Sequence, residues 1–361
     1  TYGQALVVVF ISGVFFIVIT AIGLREAIIR SIPDAVKTAI TPGIGLFITI
    51  IGLKNAGIVI SNPATLVSLV DFSQWKIEGA DLALMSSALV ALAGLVIMGM
   101  LHARKVKGSI LLGIVAATLI GIPLGVTHIS NLDMNIGMKF RDFAEVSFMK
   151  MDFAGLFSGA NMVETIFTVT MLVISFSLVN MFDSIGTLLG AAKQSGMIDE
   201  NGEVIRMKQA LMSDAISTAA GAMVGTSTVT TVVESSAGIA AGGRTGLTSL
   251  VTALMFLGAI LFAPIVSIVP AAATAPALIF VGILMLGNIR DVDFSDMSNA
   301  LPAFCTIVFM PFTYSIANGV AFGLITYCLM KLTTGRRQDV KILTLAISVV
   351  FVVRYAFMTL G

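Results

Sequence analysis

Ten apolar runs, at about residues 5–24, 38–53, 82–101, 109–126, 166–192, 247–269, 275–287, 300–314, 315–332 and 342–358, decide what this chain can fold into. A lipid hydrocarbon core about 30 Å thick is crossed by about 20 apolar residues in a helix. Inside it no water satisfies stray backbone N–H and C=O groups, so a chain of such runs folds as packed spanning helices. Composition leaves no competing soluble reading: 57% of the 361 residues are hydrophobic, 11% are charged and the mean hydropathy is +1.02. The expected fold class is an all-α polytopic membrane protein. Several runs fall short of a full span, and two less apolar pieces, 207–224 and 226–243, separate the fifth from the sixth, so tilted or broken helices are expected there.

Lys and Arg crowd three short loops: Arg25, Arg30 and Lys37; Arg104, Lys105 and Lys107; Lys193, Arg206 and Lys208. These alternate with long loops poor in basic residues, 54–81 and 127–165, which makes the basic loops cytoplasmic. The run Lys331, Arg336, Arg337, Lys341 keeps that parity if 207–224 and 226–243 form one return pass, a helix followed by a half-helix. An internal echo points to a repeat. Residues Ser31 to Asn55 resemble Ser267 to Asn288 in their two prolines, apolar helix and closing Asn, and Lys107 to Gly121 resembles Asn318 to Leu332. By the loop parity the paired segments run in opposite directions, the signature of an inverted-repeat transporter.

The functional centre falls between Glu164 and Ser249, where ionisable residues lie at membrane depth. Asp183 sits about 26 Å into the run that starts at Ile166, at 1.5 Å per residue, and its short stem cannot reach water. It reads as a carboxylate that accepts ligand N–H groups or carries a proton, with an internal salt bridge as the competing role. The β-branched stretch Ser227 to Val233 predicts an extended strip, and the small residues that follow predict a short helix from Glu234 with free N–H groups at its start. Two carboxylates beside backbone donors suit a flat heterocycle that offers both N–H and C=O groups. They cannot easily both stay ionised in a poorly solvated site, which gives a route to proton coupling; Asp183, flanked by Leu178, Met181, Phe182 and Ile185, is the expected main carrier. Asp214 and Arg244 are expected to form a structural ion pair on the cytoplasmic side, since either would be costly to bury alone.

The strings FDSIGT (Phe182 to Thr187) and ESSAGIAAGGRTGLTS (Glu234 to Ser249), with TPGIGLFI (Thr41 to Ile48) and PFTYSIANG (Pro311 to Gly319), resemble the signatures of AzgA-like purine permeases, a branch of the nucleobase–ascorbate transporter superfamily. The similarity runs over essentially the whole chain. It implies a fourteen-helix inverted repeat with a core and a gate domain, which takes up hypoxanthine, guanine or adenine across the plasma membrane as a proton symporter with an elevator-type motion. The proton gradient would be the energy source, without a cofactor. Asp183 and Glu234 match the family's two substrate-site carboxylates, Val233 the position whose backbone faces the base, and Thr187 lies one turn after Asp183. The first segment here matches the family's fourth helix, so the first three helices are expected to be missing from this sequence. The division implied is core at 1–33 and 161–270, gate at 34–160 and 271–335, and a tail at 336–361 with an extra apolar helix. Ser235, Ser236 and Ala237 stand where the broader superfamily has Asn and Gly, which favours the AzgA-like branch over uracil or xanthine carriers.

The alternative is an anion carrier or channel on the same inverted fold, which would present a cation or bare helix dipoles to its ligand; here two carboxylates do so. An enzyme is not expected, because the only histidines, His102 and His128, lie in or beside loops and no metal or nucleophile motif accompanies them. Cys305 and Cys328, inside apolar runs, read as buried thiols, and a net charge of +1 offers nothing to nucleic acid. The expected partners are a purine nucleobase, protons and the lipid bilayer. Oligomeric state stays open, a homodimer included.

Overall fold

The computed structural model describes residues 1–73, 82–128, 141, 143–157, 162–200, 204–232, 235–262, 266 and 268–360. Each of the ten apolar runs carries a helix. In chain order the helices are α1 (Tyr2–Ala21), α2 (Leu24–Ser31), α3 (Asp34–Asn55), α4 (Leu82–Ala103), α5 (Ser109–Gly121), α6 (Phe153–Phe157), α7 (Met162–Ser195) and α8 (Met207–Val224). They continue with α9 (Ser235–Ala240), α10 (Gly246–Leu261), α11 (Ala271–Leu286), α12 (Met297–Phe312), α13 (Ile316–Thr333) and α14 (Ile342–Leu360). Among the described residues, five helical stretches are long and apolar enough to cross a membrane: Tyr2–Ala21, Asp34–Asn55, Leu82–Ala103, Ala271–Asp291 and Ile316–Thr333.

The chain divides into two compact units, one of residues 1–43, 137–240 and 288–361, the other of residues 44–136 and 241–287, with α3 contributing to both. In the first unit α1 lies backbone to backbone on α8: a Cβ at Gly13 would come 2.6 Å from the Ala219 nitrogen. Such small-residue seams let helices approach closely where no hydrophobic force drives them together. Helix α7 buries one stripe, Val169, Val173, Ser177, Asn180, Ser184 and Thr187, at helical spacing. That face starts apolar, and from Ser177 onward its polar residues alternate with the buried Met181 and Ile185. At the far end of the chain α14 buries Thr344, Ser348 and Phe351. It is tied to α2 by Lys341 Nζ donating to the Arg30 carbonyl (2.7 Å) and Thr344 Oγ1 to the Ser31 carbonyl (2.6 Å), and to α13 by Tyr355 donating to Asn318 Oδ1 (2.9 Å).

The second unit holds the later part of α3 with α4, α5, α10 and α11. A Cβ at Gly45 would lie 2.9 Å from the Gly282 carbonyl oxygen, and one at Gly94 2.9 Å from Ala117 Cβ. The two segments whose sequences echo each other, 31–55 and 267–288, thus meet through α3 and α11 on glycine. The core beside them is Ala56, Ile58, Val70, Met85, Ala88, Ala91 and Ala275.

The expectation of an all-α chain is corrected in this unit by a hairpin. Strands β1 (Val59–Asn62) and β2 (Leu66–Leu69) pair antiparallel, Val59 opposite Leu69 and Asn62 opposite Leu66. The cause is local: Gly57, at φ +72°, ends α3, and Asn62 Oδ1 accepts from the Ala64 nitrogen at 2.8 Å. Together with Pro63 this sets a turn between two short β-prone stretches.

Candidate functional site

Helix α8 ends on Gly225, whose φ of +92° suits a residue without a Cβ, and the next residues, TSTVTT, do not resume a helix. Two bonds set this course. The Thr226 nitrogen donates to the Gly221 carbonyl at 2.9 Å, and Thr218 Oγ1 lies 3.0 Å from the Val229 carbonyl oxygen. The backbone from 226 to 232 is therefore an irregular strip that forms no strand, where the β-branched run predicts extended backbone from 227 to 233, and the six-residue α9 comes after it. Irregular backbone at membrane depth is tolerated only where protein covers it or where it lines a cavity.

A buried ion pair stands behind this strip. Arg25 Nη2 lies 3.0 Å from Asp214 Oδ2, with the two side chains 0% and 2% exposed. Arg25 Nη1 donates to the Leu211 carbonyl at 3.1 Å, and the guanidinium sits 4.6 Å from the centre of the Phe16 ring. Burial lowers the pKa of Arg25 from its ordinary value, while the hydrogen bond and the charge of Asp214 oppose that shift. On its other side Asp214 meets Ser184 of α7, whose Oγ is 3.0 and 2.9 Å from the two carboxylate oxygens. Ser184 Oγ is also 2.8 Å from Thr230 Oγ1 in the strip.

This arrangement corrects one expectation. The cation on Asp214 is Arg25, which takes the place foreseen for Arg244; Arg244 is exposed and donates to the neighbouring Gly243 carbonyl at 2.9 Å. The physical reason is that α2 is amphipathic: Arg25 turns into the protein, while Leu24 beside it is exposed. Counting Arg25 as a loop cation concealed this, and a charge followed by an amphipathic stretch, LREAIIR, was the available signal. Thr187 is buried on the polar stripe of α7. Val233, Glu234 and the side chain of Asp183 lie outside the described residues. Ser184 and Thr230 carry no signal in the sequence beyond standing next to Asp183 and inside the strip. Cys305 and Cys328 are buried free thiols, and His102 closes α4 with its ring 5.0 Å from that of Phe280.

The chain is a multi-pass helical protein with an irregular strip pinned between buried helices. It resembles the transmembrane domain of a cyanobacterium bicarbonate transporter, BicA, with a TM-score of 0.57 over 90% of this chain and 77% of that one, at 17% identity. The sequence then narrows the class. The profile described as "Permease family" (Xan_ur_permease) matches residues 1–322, and the chain belongs to that family, within the nucleobase–ascorbate transporters. It is 40% identical to a putative permease of Methanocaldococcus jannaschii over 98% of this chain and 76% of that protein. It is 38% identical to the adenine permease AdeP of Escherichia coli, over 97% and 73%. It is 36% identical to the guanine/hypoxanthine permease PbuO of Bacillus subtilis, over 98% and 78%. The protein is thus a multi-pass membrane protein of a family of carriers.

Proposed function

We propose that this protein carries a purine nucleobase, adenine, hypoxanthine or guanine, across the plasma membrane together with a proton. The observation that carries the reading is the match to adenine and guanine/hypoxanthine permeases along nearly the whole chain, through the segments that hold the irregular strip. Asp183 on α7 and Glu234 after the strip are the proposed acceptors of purine N–H groups, with Val233 offering backbone and Thr187 one turn from Asp183. Asp183 is the proposed proton carrier. An elevator motion of a core (1–33 and 161–270) against a gate (34–160 and 271–335), with 336–361 as a tail, is proposed for the transport step, within an inverted repeat of fourteen helices in the family's complete form. The fold shared with a bicarbonate transporter is the argument for an anion carrier, but a site with two carboxylates disfavours an anion.

Uptake of radiolabelled adenine and hypoxanthine by cells expressing the protein, competed with guanine, xanthine and uracil, tests the substrate class. Purines are expected to compete and uracil is not. Asp183→Asn is expected to abolish uphill accumulation and to leave purine binding measurable. A carrier with that substitution that still concentrates purine, with an unchanged dependence on external pH, overturns the role given to Asp183.

A further inference from the structure

We propose that Arg25 and Asp214 are positioning residues for the substrate site, acting through Ser184 and Thr230; the inference rests on the purine-carrier reading. Ser184 directly follows Asp183 in α7, and Thr230 lies in the strip three residues before Val233. The Ser184 hydroxyl has one proton and faces three oxygens: two on Asp214, at 3.0 and 2.9 Å, and Thr230 Oγ1 at 2.8 Å. The carboxylate paired with Arg25 accepts and does not donate, so Ser184 gives it its proton and Thr230 donates to Ser184. The directions of all these bonds follow from the one ion pair. They join the two backbone segments that hold the proposed carboxylates, although none of the four residues needs to touch substrate.

A role in packing alone does not account for the hydroxyls. Valine at position 230 would fill the same volume, and Ser184 Oγ is spent wholly on Asp214 and Thr230. At the other end Arg25 is held by the Leu211 carbonyl and the Phe16 ring, so the anchor of the run is α2 and α8 rather than the strip. The helix that leads α1 into α3 thereby sets the distance between α7 and the strip.

The test compares Thr230→Val and Ser184→Ala with the conservative Thr230→Ser. It uses purine uptake normalised to the amount of protein at the cell surface, and hydrogen–deuterium exchange of the segment 226–232 in the purified protein. Thr230→Val and Ser184→Ala are expected to raise KM about tenfold, the order of one lost hydrogen bond, with Vmax within about twofold. Both are also expected to speed exchange in the strip, while Thr230→Ser restores both readouts. Thr230→Val with a wild-type KM, or Thr230→Ser as damaging as Thr230→Val, overturns the proposal. If the wild-type protein takes up no purine, the functional reading fails instead, and exchange decides the brace by itself: a strip that stays as protected in Thr230→Val as in wild type removes it.

Discussion

In the first unit the space behind α7 is filled by an ion pair and hydroxyls, Arg25, Asp214, Ser184, Thr218 and Thr230, whereas in the second the seams among α3, α4, α5 and α11 are filled by glycine and alanine. Both solve one problem, that lipid supplies no hydrophobic force to press helices together. They fail in opposite ways. A polar interior is damaged by taking a partner away, because the group left behind is buried without compensation. A small-residue seam is damaged by adding an atom, because two backbones already occupy the space. The polar solution stands beside the proposed substrate site, where positions of individual oxygens matter. The apolar one holds helices together without specifying any ligand contact.

The largest effect is expected from breaking the ion pair. Arg25→Leu or Asp214→Leu leaves the other charge buried and is expected to cost about 3–5 kcal/mol, read as a large drop in the unfolding temperature of the detergent-solubilised protein. The double substitution Arg25→Met with Asp214→Leu should recover most of that loss. A double variant no more stable than either single one would mean that the two side chains are not a pair.

A smaller effect tests the other unit. Gly45→Leu forces α3 and α11 apart, since its Cβ meets the Gly282 carbonyl oxygen at 2.9 Å and the Leu286 nitrogen at 3.0 Å, and about 1–3 kcal/mol of stability should be lost. Gly99→Ala in α4, where a Cβ meets nothing within 4 Å, should be neutral or gain up to about 1 kcal/mol. Equal losses at the two positions would contradict the contrast between packed seam and open face.

The smallest effect concerns pH. Asp296, the N-cap of α12, is held at a pKa of about 2 by the backbone and side chain of Ser298 and by Arg336, below its ordinary 3.8. A carboxylate whose folded pKa is depressed stabilises the fold above its unfolded pKa and loses that contribution as pH falls through the folded one. The Arg336–Asp296 pair, 2.6 Å apart, should therefore be constant between about pH 5 and 8. Arg336→Gln is expected to leave the pH profile of uptake in that window unchanged. A shifted profile would tie proton coupling to this end of the chain.

The sequence by itself determined the membrane class, the position of every long helix and the break after Val224. Runs of 20 apolar residues, Gly225 and the threonine-rich stretch act through local propensity and through the demand that lipid makes on backbone groups. The four motifs around Asp183, Glu234, Thr41 and Pro311 pointed to the family that the comparisons then established. Tertiary structure alone decided which cation meets Asp214. Arg25 and Asp214 are 189 residues apart, and the amphipathic pattern around Arg25 does not say which carboxylate it meets. A charge in a short amphipathic helix that also carries Glu26 and Arg30 looks like a solvated cytoplasmic residue until the packing of α1 on α8 brings Phe16 and the Leu211 carbonyl to it. Ser184 was hidden for the same reason, since a serine on a helix shows its partner only when another helix supplies one.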